Sequence, residues 1–466
     1  IAGMMTMESA APSIKPQSVL RLTLNGELQE DAPNDPLGDL FGSTFPTLSL
    51  REIQTAIQGA KENPNIDGIY IEAQTLLGAT PAMIRDIRES LADFKKSGKY
   101  IIAYGDNYTQ GAYYICSIAD SIILNPQGQV NWCGMASQPI FYKDLLEKIG
   151  IKMQVFKVGS YKSAVEPFTA TQMSDANREQ VTSYLNDIWQ TMLTDVSRSR
   201  SIKKDLLNEY ADSMLTFRPA EELVRNGMVD SLCYIDGVSR MLRAKTGKDK
   251  GTLPLVSVKE LAAATEATPK KGDKIAVYYA YGDIVDRKTE WSENVIDAET
   301  VCRDLRTLRE DESVKAVVLR VNSGGGSAYA SEQIWHEVKL LREAKPVVVS
   351  MGGMAASGGY YISCAANYIV AEPTTLTGSI GIFGLIPDAS QLLSDKLGLH
   401  FDVVKTNAHA DFGTLARPFN PSEAQMMQGY IQRGYKLFTE RVADGRNMKT
   451  GQVEKLAEGR VWTGRQ

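Results

Sequence analysis

The sequence predicts an α/β fold, built twice in tandem. Short β-branched runs alternate with amphipathic helical stretches, the pattern of a parallel sheet covered by helices. The order of these segments recurs at a constant offset along the chain. At 466 residues, 43% hydrophobic and 23% charged, the chain has the composition of a core-forming protein and is too long for one ordinary core.

The first pass of elements is read in order. Residues 8–17 form a lead-in. Val19–Leu24 alternates as a strand, and Pro33–Phe45 is a loop rich in Gly, Pro and Asp. Leu50–Lys61 has helical spacing (Ile53, Ile57), Ile66–Ile71 is a strand, Met83–Phe94 a helix and Tyr100–Tyr104 a strand.

The second pass then appears. KYIIAYGDNYTQGAYYICSIADSIILNP from Lys99 matches KPVVVSMGGMAASGGYYISCAANYIVAEP from Lys345, with Gly111 against Gly358, an offset of 247. Asp67 heads a strand matched at Lys315, and KIGIKMQVFK (Lys148–Lys157) matches KLGLHFDVVK (Lys396–Lys405), both at 248. Long helices follow from Ser174 and Ser422, the latter with capping-box spacing to Gln425. Ordered matches over most of each half mean a tandem duplication. The expected organisation is a flexible lead-in over 1–16, an N-terminal repeat over 17–245, a linker over 246–272 and a C-terminal repeat over 273–466. Lys259–Ala264 is expected to be a short helix within the linker. The segment Phe217–Leu232 that closes the first repeat has no counterpart before Gln466, so the C-terminus is expected to be truncated.

Composition excludes several classes. A net charge of −5 with interspersed signs offers nothing to nucleic acid. No run reaches the ~18 apolar residues of a membrane-spanning helix. The apolar start, Ile1 to Met7, reads either as the end of an upstream anchor or as extraneous residues. Five cysteines without a C-x-x-C pair, and three dispersed histidines, suggest neither a disulfide framework nor a metal site, so no cofactor is expected.

The chemistry is placed at Pro346–Tyr361. Strand, small-residue turn and helix present Ser357 at a helix N-terminus, where free N–H groups favour negative charge. Alone, this motif could be a Gly-rich helix start that happens to hold a serine. The repeat changes its weight. Ser357 falls opposite Gln110, and the glycine loop Asn322–Ser327 falls opposite Gln74–Ala79, which carries Leu76 and Leu77. Loop and serine stand together in one half and are lost together in the other. A serine nucleophile needs a base. His409, beside Asp411, is one candidate. Lys162, in VGSYKSAVEPF, is the other, and the matching loop Thr406–Ala416 has no lysine. A desolvated lysine serves as a general base near neutral pH. One composite site drawn from both repeats accounts for both losses.

These stretches, MAASGGYYIS, TLTGSIGIFG, YKSAVEPF and LRVNSGGGSAYASE, resemble the signal peptide peptidase A (protease IV) family in its long tandem-repeat form, over nearly the whole chain from residue 17. The resemblance implies a ClpP/crotonase-like α/β fold and a serine endopeptidase with a Ser/Lys dyad. Ser357 would be the nucleophile, Lys162 the general base and Ser379 the residue that orients the lysine. Gly358 with Gly325 or Gly326 would form the oxyanion hole. Gly324, where many relatives have proline, departs from the pattern. The family also implies a homotetramer and an N-terminal anchor in the bacterial cytoplasmic membrane. The catalytic body would lie on the periplasmic side, with signal peptides and other extended apolar peptides as substrates. The rival readings are a Ser/His hydrolase using His409, a crotonase-like acyl-CoA enzyme and an inert peptide-binding scaffold.

Overall fold

The computed structural model describes residues 13–31, 46–247, 253–267, 272–290, 292 and 294–466. The first twelve residues of the expected lead-in and the loop Pro33–Phe45 lie outside the described residues. Two compact units form: Ile1–Met135 with Trp189–Gly272, and Ala136–Ile188 with Asp273–Gln466. The segment 136–188, part of the first sequence repeat, therefore packs with the second repeat.

The first unit holds a seven-stranded parallel sheet. Its order is Thr47–Ser49, Ser18–Gln29, Ile66–Leu77, Tyr100–Tyr108, Ser121–Val130 and Ser231–Leu232, and Leu255–Ser257 also pairs with Ser18–Gln29. Alternation decides the faces. Leu20, Leu22 and Leu24 are fully buried, while Arg21 points out to an ion pair with Glu72 at 2.9 Å. The helix Leu50–Glu62 buries Ile53, Ala56, Ile57 and Ala60, one stripe at helical spacing, and starts where the Ser49 hydroxyl accepts from Glu52 N–H. The connector contributes structure of its own: strand Leu255–Ser257 pairs with Val19–Arg21, and the helix Val258–Glu266 opens on a Ser257/Glu260 capping box.

The second unit is organised on strand Val347–Ala356. It lies between Val314–Ser323 on one side and Tyr368–Ala371 and Leu376–Gly378 on the other, with Lys274–Tyr281 and Val461–Thr463 at the edges; only Val461–Thr463 runs antiparallel. The helix Ala328–Ala344 covers it with Ile334, Trp335, Val338 and Leu341, all buried, and the long helix Pro421–Arg446 adds Phe438 and Val442. A separate antiparallel pair joins Lys152–Lys157 to Phe383–Asp388. The helix after Ser357 is short, running from Gly358 to Ser363.

One expectation is corrected. The long C-terminal helix is not capped by Ser422 and Gln425. Asn420 is the N-cap, with Glu423 completing the box and Pro421 in the first turn. Proline pushes its predecessor out of the α region, which sets Asn420 in the extended conformation an N-cap requires. The Glu423 side chain is fully buried and is held by the two terminal guanidinium nitrogens of Arg417 at 2.7 and 2.8 Å. Replacement of Asn420 by alanine is expected to cost about 1 kcal/mol in urea unfolding, whereas Ser422→Ala should change stability by less than about 0.5 kcal/mol.

Candidate active site

Ser357 sits where the central strand of the second unit ends and a short helix begins. Its backbone has φ 53° and ψ −118°, a region that side-chain-bearing residues rarely occupy. Such strain costs of order 1–3 kcal/mol and persists only where the surroundings impose it. Here they do. The Ser357 N–H donates to Gly378 O at 2.9 Å. A Cβ on Gly358 would lie 2.6 Å from Ser331 Oγ, and one on Gly359 would lie 2.5 Å from Ser323 O. The small residues flanking the serine are thus required by the packing of strand Val314–Ser323 and helix Ala328–Ala344 beneath the turn.

The glycine loop follows the end of strand Val314–Ser323. Gly325 has φ 105°, and a Cβ there would lie 2.6 Å from Gly358 N. Its own N–H donates to Ser323 Oγ at 3.1 Å. The N–H groups of Gly326 and Gly358 have no acceptor among the described residues, and both residues line the cavity that holds Ser357. These two are the donors free to meet a developing oxyanion.

Lys162 reaches this turn from the segment after strand Lys152–Lys157. Its Nζ lies 3.0 Å from Ser357 Oγ, 3.0 Å from Ser379 Oγ and 3.0 Å from Ser379 O. The residue is 3% exposed, and no carboxylate pairs with it among the described residues. Burial disfavours the ammonium and brings its pKa from 10.5 down to about 8. The geometry suits the neutral amine, which has two N–H bonds and one lone pair. The two Ser379 oxygens can take the N–H bonds, leaving the lone pair to accept from the Ser357 hydroxyl.

Several residues hold the lysine in place. Tyr161 N–H donates to Glu458 O at 3.0 Å. Gln180 donates to Tyr161 O at 3.1 Å and Ser163 Oγ at 2.9 Å, and accepts from Val461 N–H at 3.1 Å, tying both neighbours of Lys162 to the edge strand. Ser379, at φ 48°, donates its N–H to Arg460 O at 2.7 Å. The Arg460 guanidinium lies between the Tyr161 and Trp462 rings, 4.8 and 4.5 Å from their centroids. Gly459, at φ 78°, leaves room for the lysine stem: a Cβ there would lie 2.6 Å from Lys162 Cβ.

Gln180, Gly459 and Arg460 were not visible as site residues in the sequence. The only signal was the pair of glycines in EGRVWTG, which composition alone reads as a turn.

Beside Ser357 opens a cavity of about 630 Å³. Its walls include Phe383, Ile386, Tyr430, Ile431 and Leu437, and Glu332 contributes a carboxylate held by Tyr361 at 2.7 Å and Arg441 at 2.5 Å. Among the described residues no cluster of metal-ligating side chains occurs. His409 is bonded to Glu423 at 3.4 Å, within the Arg417–Asp411 network, and Lys162 is the side chain hydrogen-bonded to Ser357.

In the first unit the corresponding turn is closed. Gln110 accepts from Cys133 N–H and Gly134 N–H and donates to Gly134 O, each at 3.0 Å. Leu76 and Leu77 continue the strand Ile66–Leu77 through the position where the second repeat has its glycine loop.

Known proteins are similar to this chain in sequence. The model of peptidase family S49 matches residues 93–248 and 339–466, and that of Clp protease matches residues 283–375. The chain is 41% identical to Protease 4 of Salmonella typhi, over 96% of this chain and 74% of that protein. It is 36% identical to Protease 4 of Haemophilus influenzae (strain ATCC 51907 / DSM 11121 / KW20 / Rd), over 96% and 75%. It is 33% identical to the chloroplastic serine protease SPPA of Arabidopsis thaliana, over 97% and 66%. With the Clp protease-like α/β fold and the matches over most of its length, the chain belongs to peptidase family S49 and is a serine peptidase.

Proposed function

We propose that the enzyme is a Ser/Lys-dyad endopeptidase that degrades released signal peptides and other extended apolar peptides. The observation that carries this reading is the 3.0 Å contact between Lys162 Nζ and Ser357 Oγ, made by a buried lysine with no counter-ion. Neutral Lys162 takes the proton as Ser357 attacks the peptide carbonyl. The N–H groups of Gly358 and Gly326 meet the oxyanion. Lys162 then returns its proton to the leaving amine, and later takes one from the water that hydrolyses the acyl-enzyme. Ser379 orients the amine throughout. The dyad divides its two members between the repeats over 17–245 and 273–466.

The apolar cavity beside Ser357 supports apolar side chains at the cut site, with the peptide held extended by backbone hydrogen bonds. Kinship with bacterial Protease 4 supports the wider setting: a homotetramer at the cytoplasmic membrane, attached by an N-terminal anchor, with its catalytic body on the periplasmic side. Among the described residues no helix is long and apolar enough to cross a membrane.

Three measurements test the dyad. Ser357→Ala should abolish labelling by a fluorophosphonate and cleavage of a synthetic signal peptide. Lys162→Ala should lower kcat/KM by about 10²–10⁴-fold, the usual contribution of a general base, while His409→Ala leaves it within about twofold. Full activity in Lys162→Ala would remove the dyad, and loss in His409→Ala alone would favour a Ser/His enzyme.

The second measurement is the pH profile. Because burial lowers the lysine pKa, the competent neutral form accumulates as pH rises through about 8. kcat/KM should climb through that range and level off above it. A climb that continues past about 10, the ordinary lysine range, would exclude a buried base.

The third concerns placement. Gly459→Ala adds a Cβ against the Lys162 stem and should slow fluorophosphonate labelling of Ser357 by about tenfold or more, with the circular dichroism spectrum unchanged.

A further inference from the structure

The duplication gives the chain two versions of one helix arrangement. In each, a helix covering the sheet, a short helix after the turn and the end of a long helix meet at matched positions. Pro81–Lys95, Gln110–Cys116 and Asp175–Arg200 form the first set, and Ala328–Ala344, Gly358–Ser363 and Pro421–Arg446 form the second. Burial bears out the match. Met192, Leu193 and Val196 are buried on one long helix, as Phe438, Thr439 and Val442 are on the other at an offset of 246. Ile84, Ile87 and Leu91 are buried on one covering helix, as Ser331, Ile334 and Val338 are on the other at an offset of 247. Two such surfaces in one chain compete for each other's partners, and misassembly is a characteristic failure of repeat proteins.

The contacts at the matched positions differ in three ways. The first is an exchange of charge. In the first set the covering helix carries the base: Arg85 Nε lies 3.3 Å from Asp195 on the long helix, and the Tyr114 hydroxyl donates to the same carboxylate at 2.6 Å. In the second set the covering helix carries the acid: Glu332 lies 2.5 Å from Arg441 on the long helix, and the Tyr361 hydroxyl donates to Glu332 at 2.7 Å. Arg85 matches Glu332, Asp195 matches Arg441 and Tyr114 matches Tyr361. The second difference is at Arg88 and its match Trp335. Arg88 donates to Ser199 Oγ and to the Asp195 carbonyl, both at 2.9 Å, whereas the Trp335 ring packs on the Arg441 guanidinium, 4.0 Å from its centroid. The third is at Ser199, whose match is Gly445. A Cβ on Gly445 would lie 2.1 Å from Cys364 O.

We propose that these differences form a docking code that assigns each long helix to its own repeat. An exchange would set Arg85 against Arg441 and Glu332 against Asp195, like charges at partly buried positions. It would also deprive Arg88 of the Ser199 hydroxyl and press the Ser199 side chain onto the Cys364 carbonyl. The tyrosine is kept in both sets because its hydroxyl can donate to a carboxylate on either neighbour. The code itself does not depend on which residue is the catalytic base. Its consequence for the site rests on the role proposed above for Lys162. The helix that carries Asp195 also carries Gln180, whose amide anchors the residues on either side of Lys162. A long helix seated on the wrong repeat withdraws Gln180, and with it the placement of the lysine.

Refolding of the full chain from urea tests the code, with the native fraction read as chain that survives brief chymotrypsin digestion. Arg85→Glu with Asp195→Arg gives the first set the polarity of the second, an arrangement that Glu332, Arg441 and Tyr361 already accommodate. The native fraction after dilution should fall about twofold or more, because charge no longer tells the two seats apart. Arg85→Lys with Asp195→Glu keeps the polarity and should refold as the wild type does. Addition of Glu332→Arg with Arg441→Glu to the reversed pair makes the two sets distinct again and should restore the native fraction. A reversed pair that refolds as well as the wild type would overturn the code. So would a loss that the fourfold variant does not repair, including failure of the reversed pair to fold at all, since the damage would then be local to the first set. Fluorophosphonate labelling of Ser357 in the refolded reversed pair should fall in step with the native fraction. Labelling that stays at the wild-type level while the native fraction falls would overturn the link to Lys162.

Discussion

A lysine amine buried without a counter-ion is the constraint on which the second unit is organised. Desolvating an ammonium is unfavourable, so the site favours the neutral amine, and a neutral amine still needs partners for its N–H bonds and lone pair. Ser379 supplies two oxygens and Ser357 the third contact, each at 3.0 Å. The neighbouring features follow from that need. Gly459 admits the stem, Gln180 anchors the backbone on either side of Lys162, and Arg460 holds the Ser379 turn while its guanidinium is covered by two rings. Strain is tolerated at Ser357 and Ser379, both at positive φ, because the strands beneath them are well packed.

Duplication lets one fold hold two different versions of the same turn. In the second repeat the turn presents a hydroxyl above two unoccupied N–H donors. In the first, Gln110 stands in place of the serine and spends its amide on the backbone of Cys133 and Gly134. A turn with its polar side chain satisfied in this way carries no nucleophile and serves as a structural element. The same asymmetry recurs at the strand level, where Lys152–Lys157 is paired and its match at 400–405 is not.

The strands and helices were legible because their periods are local. Leu20, Leu22 and Leu24 alternate, and Ile53, Ile57 and Ala60 recur at helical spacing, so each segment announces the face it buries. The capping of the last long helix is the exception. Ser422 and Gln425 have the right spacing, but Asn420 followed by Pro421 has the stronger backbone preference. The site was partly legible for a different reason. Comparing the repeats showed a serine kept in one and a lysine kept in the other, and the structure brings those two side chains into contact. Gln180, Gly459 and Arg460 escaped because each acts on a residue far away in the chain.

The sequence by itself determined the duplicated α/β architecture, the small-residue turn at Ser357 and the complementary pattern that singled out Lys162. These are properties of periodicity and of residue type compared at matched positions. Only the tertiary structure decided that residues 136–188 pack with the second repeat, that Ser379 uses both its oxygens on Lys162, and that Gly325 turns its N–H to Ser323 while Gly326 and Gly358 keep theirs free. The physical reason is that hydrogen-bond partners and desolvation depend on distances of a few ångströms between groups hundreds of residues apart. Local pattern carries no information about such distances until the chain has packed.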